Sequence, residues 1–255
     1  MPDTTQNQAR AALITGAGRR IGRAIALTLS HAGYALALHA NRSRGDAEAL
    51  ADEIAKSGGR AAVVLGDLAD AQAVHGVVPA ARAAVGPLSL LVNNASEFAE
   101  DEIGALERTR FEHTMAVNLA APLFLAQAFA AQAGEGASIV NVLDQRVLKP
   151  TPRFFSYTLS KSALYTATTT LAQALAPRVR VNGVAPGPTL PSPRQTDAQF
   201  AAQAGALPLE RGPAPDDIAA AVLYLADARS VTGVTLAVDG GQHLSWRTAD
   251  SDLAE

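Results

Sequence analysis

Ala11-Ala12-Leu13-Ile14-Thr15-Gly16-Ala17-Gly18-Arg19-Arg20-Ile21-Gly22 is the stretch on which the fold turns. An apolar run of strand length stops at a cluster of glycines, and a helical pattern starts near residue 20. Glycines at such a turn let the backbone approach a pyrophosphate, whose charge suits the positive end of the following helix. The spacing differs from G-x-G-x-x-G, and Arg20 stands where a further glycine is expected.

Outward from this turn, short apolar runs alternate with longer helical ones. Strands are expected at Ala11–Thr15, Tyr34–His39, Ala61–Leu65, Leu88–Asn93, Ser138–Leu143, Arg178–Val184 and Val234–Val238. Helices are expected near 20–32, 44–57, 70–85, 107–133, 155–176 and 215–228. Most strand runs are continuously apolar, as strands buried on both faces require. The alternation implies right-handed crossovers and an α/β fold: one Rossmann-type domain, a doubly wound parallel sheet of about seven strands with helices on both faces. No repeat or composition break marks a second domain. Pro186–Pro215 is the one long irregular stretch, and its segment 187–212 is expected to cover a substrate. Residues 1–9 read as a flexible arm and 243–255 as a tail.

Composition excludes several classes. The 255 residues carry a net charge of −3, which leaves no basic footprint for nucleic acid or an anionic membrane. No apolar run is read as approaching membrane-spanning length, and there is no signal-peptide pattern, so a cytoplasmic location is expected. With no cysteine, disulfides and thiolate metal sites are excluded. The five histidines show no metal-ligand spacing, so no metal site is expected.

The end of the second strand selects the cofactor. A site for NAD wants a carboxylate there, to accept from the ribose hydroxyls. The chain reads His39-Ala40-Asn41-Arg42-Ser43 instead, with no acid and one guanidinium. Arg42 and Arg20 together could neutralise a 2′-phosphate, so NADP(H) is the expected cofactor, with Arg42 as a plain exposed turn residue the alternative.

Tyr157 and Lys161 are four residues apart, one helical turn, and so share a helix face. Lysine is scarce here: Lys56, Lys149 and Lys161 are the only three. A cation near a phenol stabilises phenolate, which is expected to ease proton transfer from Tyr157 near neutral pH.

Taken in order, these pieces resemble the short-chain dehydrogenase/reductase family over nearly the whole chain. The matching residues are Thr15-Gly16…Ile21-Gly22, Asp67-Leu68, Asn93-Asn94-Ala95, Asn118, Tyr157-x-x-x-Lys161 and Pro186-Gly187. The resemblance implies that Asp67 and Leu68 meet the adenine, that Asn93 and Ala95 line the ribose and nicotinamide side, and that Lys161 holds the nicotinamide ribose. It implies a water-mediated proton relay at Asn118, and cofactor contacts are expected from Gly16, Arg19, Arg20, Ile21, Gly22, His39, Asn41, Arg42, Ser43, Ser96, Pro186 and Gly187, with a structural or solvent contact the alternative for His39. It also implies a homotetramer, for which the apolar helices at 107–133 and 155–176 would supply faces.

Two departures narrow the resemblance. Asp144 occupies the position, thirteen residues before the Tyr, where the family usually has Ser, and Arg20 replaces a glycine. Both, with Asn93-Asn94-Ala95-Ser96-Glu97-Phe98, are similar to the pteridine reductases and the related dihydromonapterin (dihydrofolate-type) reductases. That branch implies a pterin stacked on Phe98, polar contacts from Arg20 and Ser96, and proton delivery by Tyr157 with Asp144 as its partner. Leu190 is also expected to bind the substrate. Asp144 as a drifted Ser in a carbonyl reductase, and a non-catalytic NADP(H)-binding protein, are the alternatives. Phe98 as a core cap and Arg20 as a helix-face residue are the plainer roles for those two.

Overall fold

In the computed structural model, which describes residues 10–246, seven parallel strands form one sheet in the order β3-β2-β1-β4-β5-β6-β7. The strands are β1 Ala11–Ile14, β2 Ala35–Ala40, β3 Arg60–Leu65, β4 Leu90–Asn93, β5 Ala137–Val142, β6 Val179–Pro186 and β7 Thr235–Val238. The helices are α1 Arg20–His31, α2 Arg44–Lys56, α3 Ala71–Val85, α4 Arg108–Met115, α5 Ala121–Gln132, α6 Phe155–Leu175, α7 Asp197–Gly205 and α8 Pro215–Asp227. Each expected strand and helix is present with ends moved by a few residues.

Alternation along the strands divides the core in two. Ala11 and Leu13 face one side with Val77, Leu125, Phe129 and Ala172, under α3, α5 and α6. Ala12 and Ile14 face the other with Ile25, Leu50, Ile54 and Val222, under α1, α2 and α8. The central strands β1, β2, β4, β5 and β6 are buried along their whole length, whereas the edge strands β3 and β7 are only partly covered. β1 pairs with both β2 and β4, so chain order reverses there. A ligand crevice is expected beyond the strand ends at such a reversal.

Two expectations are corrected. The stretch Pro186–Pro215 is not wholly irregular: it contains α7, started by a capping box between Thr196 and Gln199. Helical material at 108–132, expected as 107–133, also proves more apolar than read. α4, a π turn at Ala116–Ala120 and α5 join into a 25-residue helix, Arg108–Gln132, whose most apolar window has a mean hydropathy of 1.5. By length and composition it is enough to cross a membrane, but in this fold it packs against α3 and α6. The arm 1–9 and all of the tail beyond residue 246 lie outside the described residues.

Candidate active site

A cleft of about 680 Å³ opens at the β1/β4 reversal. It is lined by Gly16, Arg19, Arg20, Ile21 and Gly22 of the first turn, and by His39, Asn41, Arg42 and Ser43 after β2. Asp67, Leu68, Ala95 and Ser96 complete much of the remainder. The turn is tight: a Cβ on Gly22 would overlap the Gly16 carbonyl oxygen, and Gly16 itself is left-handed at φ +63°. Arg19, the residue that precedes α1, makes no side-chain cap, and the first turn of α1 holds no acid. Its N–H groups are thus left to an anion.

Several side chains have local partners. Arg20 is left-handed at φ 51°, which explains why a glycine is expected there. Its guanidinium spans the cleft and donates to the carbonyls of Pro191 (3.0 Å) and Leu190 (3.2 Å), which ties the nucleotide turn to the loop after β6. Arg19 turns outward onto Asp46 of α2, at 2.7 Å. His39 is buried and kept neutral by burial, against the pull of the Gly66 carbonyl and Asp67. Its Nδ1 accepts from Gly16 N–H at 3.4 Å and its Nε2 faces the Gly66 carbonyl at 3.1 Å. Asn93 points away from the cleft and donates to Asn141 at 2.9 Å, so its side chain does not line the cofactor side as expected. The neighbouring Asn94 lines it instead, holding Thr15 and Gly16 carbonyls at 2.9 and 3.1 Å.

The chemical end lies where β5 passes into α6. Tyr157 is buried, and its hydroxyl donates to Asp144 Oδ2 at 2.9 Å. Lys161, also buried, turns its ammonium to the Val142 carbonyl at 2.7 Å. Burial pushes Lys161 down to about 8, opposed by the charge of Asp144. Tyr157 moves the other way: burial, then the charge of Asp144 and its hydrogen bond, raise it well above the usual tyrosine value, and only Arg146 lowers it. The expectation that Lys161 lowers the Tyr157 pKa is corrected for this structure. A carboxylate accepts the phenol's hydrogen bond, and the ammonium, 5.9 Å from the ring centroid, is directed to the Val142 carbonyl.

Asn118 sits in the π turn, where such turns often place functional groups. Its amide is fully engaged: Nδ2 donates to the Glu97 carbonyl (2.9 Å) and Ser160 (3.1 Å), and Oδ1 accepts from Glu97 N–H (2.8 Å) and Ser96. It clamps the loop after β4 and leaves no side-chain atom for the expected relay.

Phe98 does not stand alone as a stacking wall. Phe154 lies on one of its faces, centroids 4.4 Å apart and planes 5° apart, while Tyr157 meets it edge-on at 4.7 Å. Phe154 precedes α6 at φ 54°, a rare setting for a bulky residue. Asp101 holds it there: its carbonyl accepts from Phe155 N–H at 3.2 Å, and its carboxyl accepts from Ser156 N–H at 3.0 Å and from the Ser156 hydroxyl. Asp101→Ala is expected to cost about 2 kcal/mol, since it uncaps the helix that carries Tyr157 and Lys161. Thermal unfolding checks this, and an unchanged midpoint would show that the cap is dispensable. The expected loop residues also have places. Pro186 ends β6, and Gly187 packs so closely on Asp239 that a side chain would collide. Leu190 is half-buried and acts through its carbonyl on Arg20.

The family model described as Enoyl-(Acyl carrier protein) reductase matches residues 16–243. An uncharacterized oxidoreductase of Methylorubrum extorquens is 37% identical over 250 residues, covering 92% of this chain and 98% of that protein. The chain belongs to the short-chain dehydrogenase/reductase family. Among solved structures similar to this short-chain oxidoreductase is FolM alternative dihydrofolate reductase 1 from Brucella canis, complexed with NADP. It is 48% identical, covers 96% of this chain and 97% of its own, and has a TM-score of 0.92. The protein of the same description from Brucella suis, in complex with NADP, is 49% identical at the same TM-score, with 94% and 98% covered.

Sequence reasoning missed Asp101, Arg146 and Phe154 in this short-chain oxidoreductase. Arg146, two residues past Asp144, faces both carboxylate oxygens at 3.2 and 3.3 Å. A charge two residues from a candidate proton carrier was the available signal.

Proposed function

We propose that the chain is an NADPH-dependent reductase of a dihydropterin or similar flat heteroaromatic substrate. The observation that carries this is the 2.9 Å hydrogen bond from Tyr157 to Asp144, a carboxyl where the family usually has a hydroxyl. Similarity at 48% identity to proteins described as alternative dihydrofolate reductases supports it.

The residues present fit NADP(H). Gly16 and Gly22 leave room for backbone approach to a pyrophosphate at the α1 N-terminus. Exposed Arg42 lines the cleft with Arg20 and makes no ion pair among the described residues, so it is available to a 2′-phosphate. Arg42→Ala is expected to weaken NADPH binding about tenfold while NADH binding is little changed, a difference calorimetry reads directly.

Bound NADPH supplies the hydride. The chain's residues supply the proton: the Tyr157 hydroxyl gives its proton to a ring nitrogen, and a protonated Asp144 reloads the phenol oxygen. Lys161 holds the cofactor end of the site, and the Phe98–Phe154 pair offers an apolar wall to a planar ring. The loop after β6, latched by Arg20, excludes water. A homo-oligomer belongs to the same proposal, supported by exposed Phe124 on α5 and Leu159 on α6. Turnover of NADPH with dihydropterins and with simple ketones tests the assignment. Dihydropterin reduction exceeding ketone reduction is expected, and efficient ketone reduction with none of dihydropterin would make the chain a carbonyl reductase.

A further inference from the structure

We propose that Arg146 is a positioning residue that governs when the Asp144–Tyr157 pair carries its proton, a task for which the sequence spacing points to Lys161. The proposal rests on the reductase reading of this same site. Each Asp144 oxygen has two partners. Oδ1 accepts from the Arg146 backbone N–H (2.9 Å) and guanidinium (3.3 Å), while Oδ2 accepts from the guanidinium (3.2 Å) and the Tyr157 hydroxyl (2.9 Å). Side-chain exposures of 20% and 16% keep this ion pair largely out of solvent, so screening is weaker than at an open surface.

The guanidinium is also held in place. Its central carbon lies 5.5 Å from the Phe98 centroid and 5.3 Å from that of Phe154, within cation–π range. Arg146 Nε is buried without a protein acceptor, which leaves Asp144 as the anion this group serves among the described residues. Charges on the elements packed against this turn are spent elsewhere. Lys161 of α6 donates to Val142, and His243 of the C-terminal turn is held by Asp239 at 2.8 Å. Arg180, the one charged residue of β6, donates to carbonyls at the end of α8. Arg194 stacks on the same two rings and faces Glu100.

The consequence for turnover follows from the proton balance. The phenol O–H bond breaks as a bond from that proton to the substrate nitrogen forms. The Asp144 O–H bond then breaks as the phenol O–H reforms, leaving a carboxylate opposite the guanidinium. Water later returns the proton to Asp144. Arg146 therefore favours donation and competes with the returning proton for the same two oxygens.

Reduction by the full-length enzyme with NADPH, followed as kcat against pH, reads this directly. With Arg146→Met, the alkaline limb of kcat is expected to move up by about one pH unit. Arg146→Gln repeats the shift, and Arg146→Lys, which keeps the cation, restores a limb close to that of the wild type. A limb that does not move in either neutral variant, with only KM altered, would reduce Arg146 to part of the pocket wall and overturn the proposal. Should the wild type turn over ketones and no dihydropterin, the substrate assignment alone fails. The same limb comparison with the ketone then still decides the role of Arg146.

Discussion

Asp144→Ser is expected to lower the proposed dihydropterin reduction about 100-fold, while NADPH affinity stays within about twofold of the wild type. The carboxyl accepts from the Tyr157 hydroxyl at 2.9 Å and lies outside the residues that line the nucleotide cleft. A Ser hydroxyl can relay a proton, but it cannot hold one as a carboxyl does. Removing the carboxylate also removes the second-largest influence that holds Tyr157 above its usual value. Steady-state turnover with a dihydropterin and a ketone, beside NADPH titration, checks the claim. A gain in ketone reduction with undiminished pterin reduction would mean that Asp144 is a drifted Ser.

Lys161→Met separates stability from activity. Turnover is expected to fall at least about 100-fold, because the sole lysine at the chemical end is lost. The cofactor-free protein is nevertheless expected to become more stable at neutral pH. Lys161 is fully covered and sits at about 8 in the fold, against an ordinary 10.5. A folded value below the unfolded one means the native state is penalised for holding the charge. That penalty is complete below about 8 and gone above 10.5, so wild-type stability rises with pH through this window. At neutral pH it is worth about 3 kcal/mol, offset by about 1 kcal/mol for the unpaired Val142 carbonyl. Lys161→Met should therefore melt about 4–8 °C higher at neutral pH, with the difference shrinking as pH rises toward 10. A lower melting point in the variant at every pH would show that the bond to Val142 outweighs the burial cost.

The sheet was legible because its central strands are buried on both faces, which forces continuous apolar runs such as Ala11–Ile14. The meeting of Asp144 with Tyr157 was legible for a related reason: one lies just past the end of β5 and the other in the first turn of α6, thirteen residues on. What escaped depends on how loops fold. Phe154 lies on Phe98 only because Asp101, fifty-five residues before Ser156, caps α6 and holds a left-handed turn. No spacing rule encodes that contact. The role of Arg20 was half legible. Its charge pointed to phosphate, but its reach to the carbonyls of Leu190 and Pro191 is set by a loop with little periodicity. Helix α7 was the avoidable miss. Thr196 and Gln199 are a capping pair visible in the chain, overshadowed by Pro186, Pro188, Pro191 and Pro193 just before it.

The pairing of Asp144 with Tyr157 has one purpose in the proposed chemistry: a proton for a pterin nitrogen as hydride reaches the adjacent carbon. Mass spectrometry of the product formed from a dihydropterin and NADPH deuterated at the transferring nicotinamide position tests this most directly. One carbon-bound deuterium in the tetrahydropterin, lost in parallel with turnover in Asp144→Ser, is the predicted result. Dihydropterin recovered unlabelled, while a ketone offered to the same enzyme returns as deuterated alcohol, would contradict it.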